Sequence, residues 1–235
     1  MGVARKTGGT LDLISTTGPA APFRDGRSAG ANWRYRGSIT REQWLLTETR
    51  TIARIRLDEG LTTEQIVEKN LAHNYFQYPT EREIRSITLA CCLRLDNLSE
   101  DDALRRELTH AIAYGMPAQA AQTNLYALMR TYRIVWEFMV SVVGEKFLHL
   151  DAHLAKHEIV AFLEGLRSQS EVVSGWSDAT LNKIRQVLAK CLVEAGYLSS
   201  PRSEELRPVL LDLDLERAMR ANGDAIALPA FSCVD

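Results

Sequence analysis

The sequence predicts a mainly all-α protein: two helix-turn-helix-like lobes, a long helix joining them, and a small β-hairpin wing near the C-terminus. Three observations carry that expectation. Apolar residues recur at three- and four-residue steps through most of the chain after Arg36. Ser or Thr, often followed by acids, opens segment after segment, as helix caps do. Gly or Pro stands where those segments stop. The chain has 235 residues, 46% apolar and 25% charged, which is ordinary for a soluble protein with a sizeable core.

Residues 1–33 differ from the rest. Stretches such as TTGPAAP and GRSAGAN are rich in Gly, Ser, Thr, Ala and Pro and lack apolar periodicity, so they read as a flexible tail. Through Arg36 the chain carries six basic residues against two acidic ones, a surplus of four. The formal net charge is −2, so the remainder carries −6. A basic tail on an acidic body can grip phosphates, or it can simply be solvated.

The N-terminal lobe spans 34–115. Its first helix is expected from a cap at Ser38 or Thr40 to about Glu59, where Gly60 ends it. Thr62 or Thr63 caps TEQIVEKNLAHN, and YFQYP then breaks the pattern. Thr80 with Glu83 forms a Thr-x-x-Glu capping box for a third helix. Ile84, Ile87, Cys91 and Leu95 face inward there, leaving Arg82, Arg85, Ser86 and Leu89 outside. SEDDALRRELTHAIAYG supplies a fourth helix, its acids suited to the positive start.

Residues 116–150 read as the central long helix, opened by Pro117 and reaching roughly Gly144. Leu125, Met129, Tyr132, Trp136, Met139 and Val143 run along it at core spacing. Its most apolar stretch, IVWEFMVSVV, is too short for a bilayer span of about 20 residues. No membrane association is expected.

The C-terminal lobe, 151–235, predicts a helix over AKHEIVAFLEGLRSQ and a short helix or turn at SEVVSGW. A long helix capped by Ser177 follows. Leu181, Ile184, Leu188 and Leu192 point inward, with Asn182, Lys183, Gln186 and Lys190 outside and Arg185 at the edge. GYLSSPRSEELRPVLLD then suggests the hairpin, near 197–211, completing the order of a winged helix-turn-helix.

Several chemistries lack their signatures. The chain shows no Walker loop, dinucleotide glycine fingerprint, H-E-x-x-H or G-x-S-x-G. Cys91, Cys92, Cys191 and Cys233 make no Cys-x-x-Cys pair and suggest no disulfide framework. With no secretory segment evident, a reducing cytoplasm is the expectation. His149, His153 and His157 are spaced for one helical face and could begin a zinc site. Leu150-Asp151 breaks that face and no third ligand is evident, so they read as surface histidines. No cofactor, metal or catalytic residue is expected.

Taken in order, RYRGSITREQWLLTETRTIARIRLDEGLTTEQIVEKNL, QYPTEREIRSI, ALMRTYRIVWEFMVSVVGEKFL and GWSDATLNKIRQVLAKCLVEAGYLSSPRS resemble the BrxA family of BREX phage-defence systems. The resemblance covers roughly 34–222. It implies a small, mostly helical, non-enzymatic component that binds duplex DNA through helix-turn-helix-like elements. It also implies partnership with other BREX proteins, among them a methyltransferase and an ATPase. It names no contact residues, and the oligomeric state stays open.

Candidate contacts come instead from helical faces. Arg82, Arg85 and Ser86 form one group, and a helix presenting Arg fits the major groove. The plain alternative is a solvated face with Glu81 paired to Arg85. Asn182, Lys183, Arg185, Gln186 and Lys190 form a second group, flanked by Arg202 and Arg207 on the wing. Here Glu194, Glu204 and Glu205 dilute the charge, and the alternative is an ordinary amphipathic surface. Two further functions stand beside double-stranded DNA binding: a helical adaptor docking other BREX components, and a metal-dependent enzyme at the histidines.

Overall fold

The structure, a computed structural model, describes residues 33–233. The expected tail therefore lies, Trp33 apart, outside the described residues. A 3₁₀ turn at Gly37–Thr40 leads into α1 (Leu46–Glu59), α2 (Thr63–His73), α3 (Glu81–Asp96), α4 (Asp102–Tyr114) and α5 (Pro117–Thr131). Then come α6 (Arg133–Phe138), a π-helical segment (Met139–Gly144), α7 (Glu145–Leu148), α8 (Lys156–Gln169), α9 (Glu171–Ser174) and α10 (Asp178–Glu194). The chain closes with α11 (Leu213–Ala221) and a second 3₁₀ stretch, Ala225–Phe231.

Local chemistry explains most boundaries. Gly60 ends α1 in the left-handed region at φ +64°. Thr62 and Gln65 make a reciprocal capping box at α2, with bonds of 3.4 and 2.9 Å. The Thr80 hydroxyl accepts from the Glu83 N–H at 3.2 Å, and Ser177 accepts from Thr180 at 3.2 Å. Asp101, between Ser99 and the start of α4, supplies that helix's cap. The predicted inward residues of α3 and α10 are all buried.

The front of the molecule packs α3 on α1, α2 and α5, with α4 against α1 and α5. Arg50 and Arg54 of α1 close the far end of α4. Their guanidinium groups donate to the carbonyls of Ile112, Ala113 and Gly115 at 2.6 to 3.2 Å. Those are terminal carbonyls that lack partners within the helix, at its negative end.

The predicted start of α1 is wrong for a specific reason. Residues 41–45 are held out of the helix by Arg94, which is fully buried near the end of α3. Its guanidinium donates to the carbonyls of Trp44 (2.9 Å), Gln43 (2.6 Å) and Glu42. Asn124 of α5 donates to the same Trp44 carbonyl at 2.9 Å. Leu45 then turns through φ +46°, and the helix begins only at Leu46. No apolar period signals this arrangement.

The long central helix is also corrected. Tyr132 is extended, at φ −120° and ψ 108°, and separates α5 from α6. Its buried ring lies 5.7 Å from the Arg94 guanidinium carbon, and its hydroxyl donates to the Glu42 carboxylate. The apolar spacing runs through the break because residues 120–129 of α5 are buried without interruption and Ile134, Val135, Trp136 and Phe138 of α6 are buried as well. Further on, the π-helical segment brings Gly144 against the final 3₁₀ stretch. A Cβ on Gly144 would sit 3.2 Å from the Ala230 nitrogen, so a larger residue forces the two apart.

The β-hairpin wing is not present: among the described residues there is no strand. One isolated antiparallel bridge joins His153 to Glu205. Around it Leu154 N–H donates to Glu204 O and Leu206 N–H to Ala152 O, both at 2.8 Å. The 197–207 loop is closed by Arg207 N–H to Tyr197 O, 2.8 Å, with a tight turn inside it held by Ser203 N–H to Ser200 O, 3.0 Å. Pro201 and Pro208 lack the N–H groups a ladder needs.

The C-terminal part is stitched to α5. Asp224, buried, forms an ion pair with Arg130 and accepts from the Tyr126 hydroxyl at 2.6 Å. Asn222 reaches the Tyr126 hydroxyl and the Leu98 carbonyl at 2.8 and 2.9 Å. Ser99 donates to Asn222 at 2.7 Å.

Two predictions follow from this packing. Arg94→Met strands the Glu42 and Gln43 carbonyls and leaves Trp44 with its bond from Asn124 alone. It should lower the unfolding free energy by about 3 kcal/mol, read from urea unfolding; a loss under about 1 kcal/mol contradicts the role given to this residue. The second concerns Lys146, nearly buried and bridging Asp151 (2.8 Å) and Glu158 (2.7 Å). The Lys146 hydrogen bond holds the Asp151 carboxyl below its ordinary range. Burial works upward on Glu158, but Lys146 and the Ala155 N–H outweigh it, and the net shift is downward. Lowered folded-state values mean that the unfolded chain takes up protons first. The stabilisation is thus complete above about pH 4.5 and lost as pH falls through the folded values. Urea midpoints should drop over that acid range, and Lys146→Met should flatten the drop.

Candidate nucleic-acid interface

Ser170 caps α9, its hydroxyl accepting from Val173 N–H at 3.4 Å. Only Gly175, Trp176 and Ser177 separate α9 from α10, a three-residue turn containing glycine. Val173, Leu181, Ile184, Val187, Leu188, Cys191 and Leu192 are buried around this turn and along the inner face of α10. Burial pushes the Cys191 thiol up to about 12, leaving it protonated and inert. α10 packs on α8 and on the 3₁₀ turn at 37–40. Trp176 comes to within ordinary contact of Gly37, 3.8 Å from where a Cβ would stand.

With the inner face committed, the opposite side of α10 is fixed toward solvent. Asn182, Lys183, Gln186 and Lys190 are exposed and Arg185 is partly so. Asn182, Gln186 and Lys190 stand at i, i+4 and i+8, a single stripe. Lys183 and Lys190 lie two turns apart, about 10.5 Å along the axis. Among the described residues neither lysine has a carboxylate within ion-pair distance. Arg185 donates twice to the neutral Asn182 amide oxygen, at 2.9 and 3.2 Å, which orients it without cancelling its charge.

The nearby acids are largely engaged. Asp178 pairs with Arg167 at 2.8 Å. Glu204 faces His153 at 3.4 Å and accepts from Lys156 N–H at 3.3 Å. Glu205 pairs with Arg207 at 3.1 Å. Arg207 is therefore a neutralised member of the predicted group, whereas Arg202 is exposed on the loop. Glu194, exposed at the end of α10, still dilutes the stripe.

The other predicted group stands apart. Arg82 and Arg85 are exposed in the first turns of α3, and Ser86 is half-buried. The anticipated Glu81–Arg85 pair is not formed. Two arginines thus project from the positive end of a helix, beside the exposed Glu81 and Glu83. α3 belongs to the front packing and α10 to the rear; the link between them is the Arg94-held segment and the 37–40 turn. Sequence reasoning missed this link and gave Arg94 no role, since nothing local marks an arginine near a helix end as buried.

The histidines do not converge. His149 caps α7, His153 sits on the isolated bridge, and His157 lies in α8. Among the described residues no cluster of His, Cys, Asp and Glu is arranged to hold a metal. No described helix is long and apolar enough to cross a membrane.

Comparison with known proteins accords with this architecture. A family profile described as BrxA matches residues 33–223. The chain is 34% identical to the BREX protein BrxA of Bacillus cereus (strain H3081.97), over 82% of this chain and 93% of that one. It is 28% identical to the BREX protein BrxA of Escherichia coli O9:H4 (strain HS), over 70% and 74% of the two chains. A crystal structure of a protein from Magnetospirillum magneticum shares the fold, with TM-score 0.68 and 23% identity over 84% of this chain and 98% of that one. By sequence match and relatives together, the chain belongs to the BrxA family of BREX phage-defence systems.

Proposed function

We propose that the protein is a non-enzymatic, double-stranded-DNA-binding component of a BREX-type defence system, working in the cytoplasm beside other BREX proteins. It holds DNA mainly by the phosphate backbone. The observation that carries this reading is the outer stripe of α10. Lys183, Arg185 and Lys190 face solvent without carboxylate partners, on a protein of net charge −2. In this reading α9, the GWS turn and α10 act as a helix-turn-helix, with Asn182 and Gln186 at base edges or phosphates. Arg202 flanks them on the loop, and Arg82, Arg85 and Ser86 form a second, smaller contact.

A second reading has its own observation. Met116, Leu210 and Leu213 are 75, 93 and 78% exposed. They gather at the start of α5, where Gln122 holds the Leu210 carbonyl at 2.8 Å and Gln119 reaches Asp212 at 3.2 Å. Such a patch suits an adaptor that docks another protein. Co-purification with other BREX components that survives nuclease treatment, and is lost in Leu210→Asp/Leu213→Asp, favours it.

The DNA reading is tested by titrating a short duplex at two salt concentrations. Binding should weaken steeply with salt, and Lys183→Ala/Arg185→Ala/Lys190→Ala should reduce the log–log slope by about 2–3, one phosphate per lost cation. The three positions are at the surface, so the variant should unfold within about 0.5 kcal/mol of the parent. No binding at low salt, or an unchanged slope in the folded variant, overturns the assignment.

A further inference from the structure

A groove of about 1140 Å³ runs between the α6–α7 column and α8, on a different part of the chain from the α10 stripe. It exceeds the roughly 300–1,000 Å³ of small-molecule sites, so its size suits a length of polypeptide. Its floor is apolar, with Val142, Phe162 and Leu166 along it. Gly165 opens it further: a Cβ there would meet nothing within 4 Å.

The rim is acidic. Glu137, Glu145, Asp151 and Glu158 line the groove against Arg133 and Lys146, a surplus of two negative charges. The cations are already engaged, Arg133 with Glu137 at 2.7 Å and Lys146 with Asp151 and Glu158. The same contacts engage Glu137, Asp151 and Glu158, and it is the net surplus of two negative charges that favours an occupant bringing positive charge together with an apolar anchor.

The chain itself arrives at this place. Trp33, the first described residue, packs edge-on against Trp136 with ring centroids 5.8 Å apart. Two residues on, Tyr35 lines the groove, its ring 4.5 Å from the Arg133 guanidinium carbon and its hydroxyl donating to Glu137 at 2.6 Å. Tyr35 thus sets the start of the described residues on the groove, and residues 1–32 precede it in the sequence. They carry Arg5, Lys6, Arg24 and Arg27 against Asp12 and Asp25, a surplus of two that matches the rim. Phe23 is the aromatic of that segment, between Pro22 and Arg24. Trp33 lies ten positions further on, a reach of up to about 33–36 Å.

We propose that the groove between α6–α7 and α8 is a docking site for the chain's own N-terminal segment, with Phe23 on the apolar floor and Arg24 and Arg27 against the acidic rim. Tethering gives the segment a high effective concentration there, so modest contacts suffice. The site owes nothing to the α10 cations and is independent of the DNA-binding reading.

The test uses the full chain with Phe23→p-benzoylphenylalanine, irradiated and mapped by mass spectrometry. Crosslinks should fall on residues 139–148 and 158–170 within the same chain, and persist on about tenfold dilution. Adding Gly165→Trp, which fills the groove from an open position, should cut them at least about fivefold, as should Arg24→Glu/Arg27→Glu. A urea unfolding curve no weaker than the parent's shows that Gly165→Trp still folds. Crosslinks absent, scattered over other surfaces, or undiminished by a folded Gly165→Trp overturn the proposal. Crosslinks that disappear on dilution overturn it too, because they make the occupant a second copy.

Discussion

The guanidinium of Arg94, sealed from water, is the constraint from which the arrangement of this protein follows. A buried cation must be surrounded by acceptors. Here these are consecutive backbone carbonyls from residues 42–44. Presenting them requires that 41–45 stay out of the helix, which is why α1 starts at Leu46 behind a left-handed Leu45. Asn124 shares the Trp44 carbonyl, and Tyr132 lays its ring over the guanidinium. One side chain thus gathers α3, α5, the start of α6 and the segment before α1. The same segment begins with the 3₁₀ turn on which α10 rests, with Trp176 against Gly37. That contact joins the rear helices to the front ones, beside the bonds that tie Asn222 and Asp224 to α5.

The candidate interface is a consequence of what this packing uses up. The apolar stripe of α10 is consumed by the core, so its polar stripe has one direction to face. Most neighbouring carboxylates are bound locally, to Arg167, His153 and Arg207. The protein can therefore be acidic as a whole and still present uncompensated cations on one helix. Local pairing, not net charge, sets the field that a phosphate chain would meet.

Most helices before residue 117, most caps and the inward residues of α3 and α10 were legible because they are local: caps act within one turn, and burial repeats every 3.6 residues. The splitting of the central helix and α11 at Leu213–Ala221 were not anticipated. Three features lie beyond such local signals. The break at Tyr132 keeps the apolar period while changing direction, so periodicity cannot see it. The delayed start of α1 depends on an arginine 50 residues away, which no window contains. The wing reads as a hairpin from its turn residues, yet its pairing partner is 152–154, and the two prolines limit it to one bridge. At the interface, the exposed faces of α10 and α3 were legible. The pairing that neutralises Arg207 and leaves Lys183 and Lys190 free depends on the folded positions of Glu204 and Glu205.

The central claim is that the outer stripe of α10 meets duplex DNA. Lysine acylation footprinting of the full chain, with and without a short duplex, tests it residue by residue. The account predicts that duplex shields Lys183 and Lys190 while Lys69, ion-paired to Glu59 on the front unit, keeps its reactivity. Equal reactivity of Lys183 and Lys190 with saturating duplex, or shielding centred on Lys69, would contradict it.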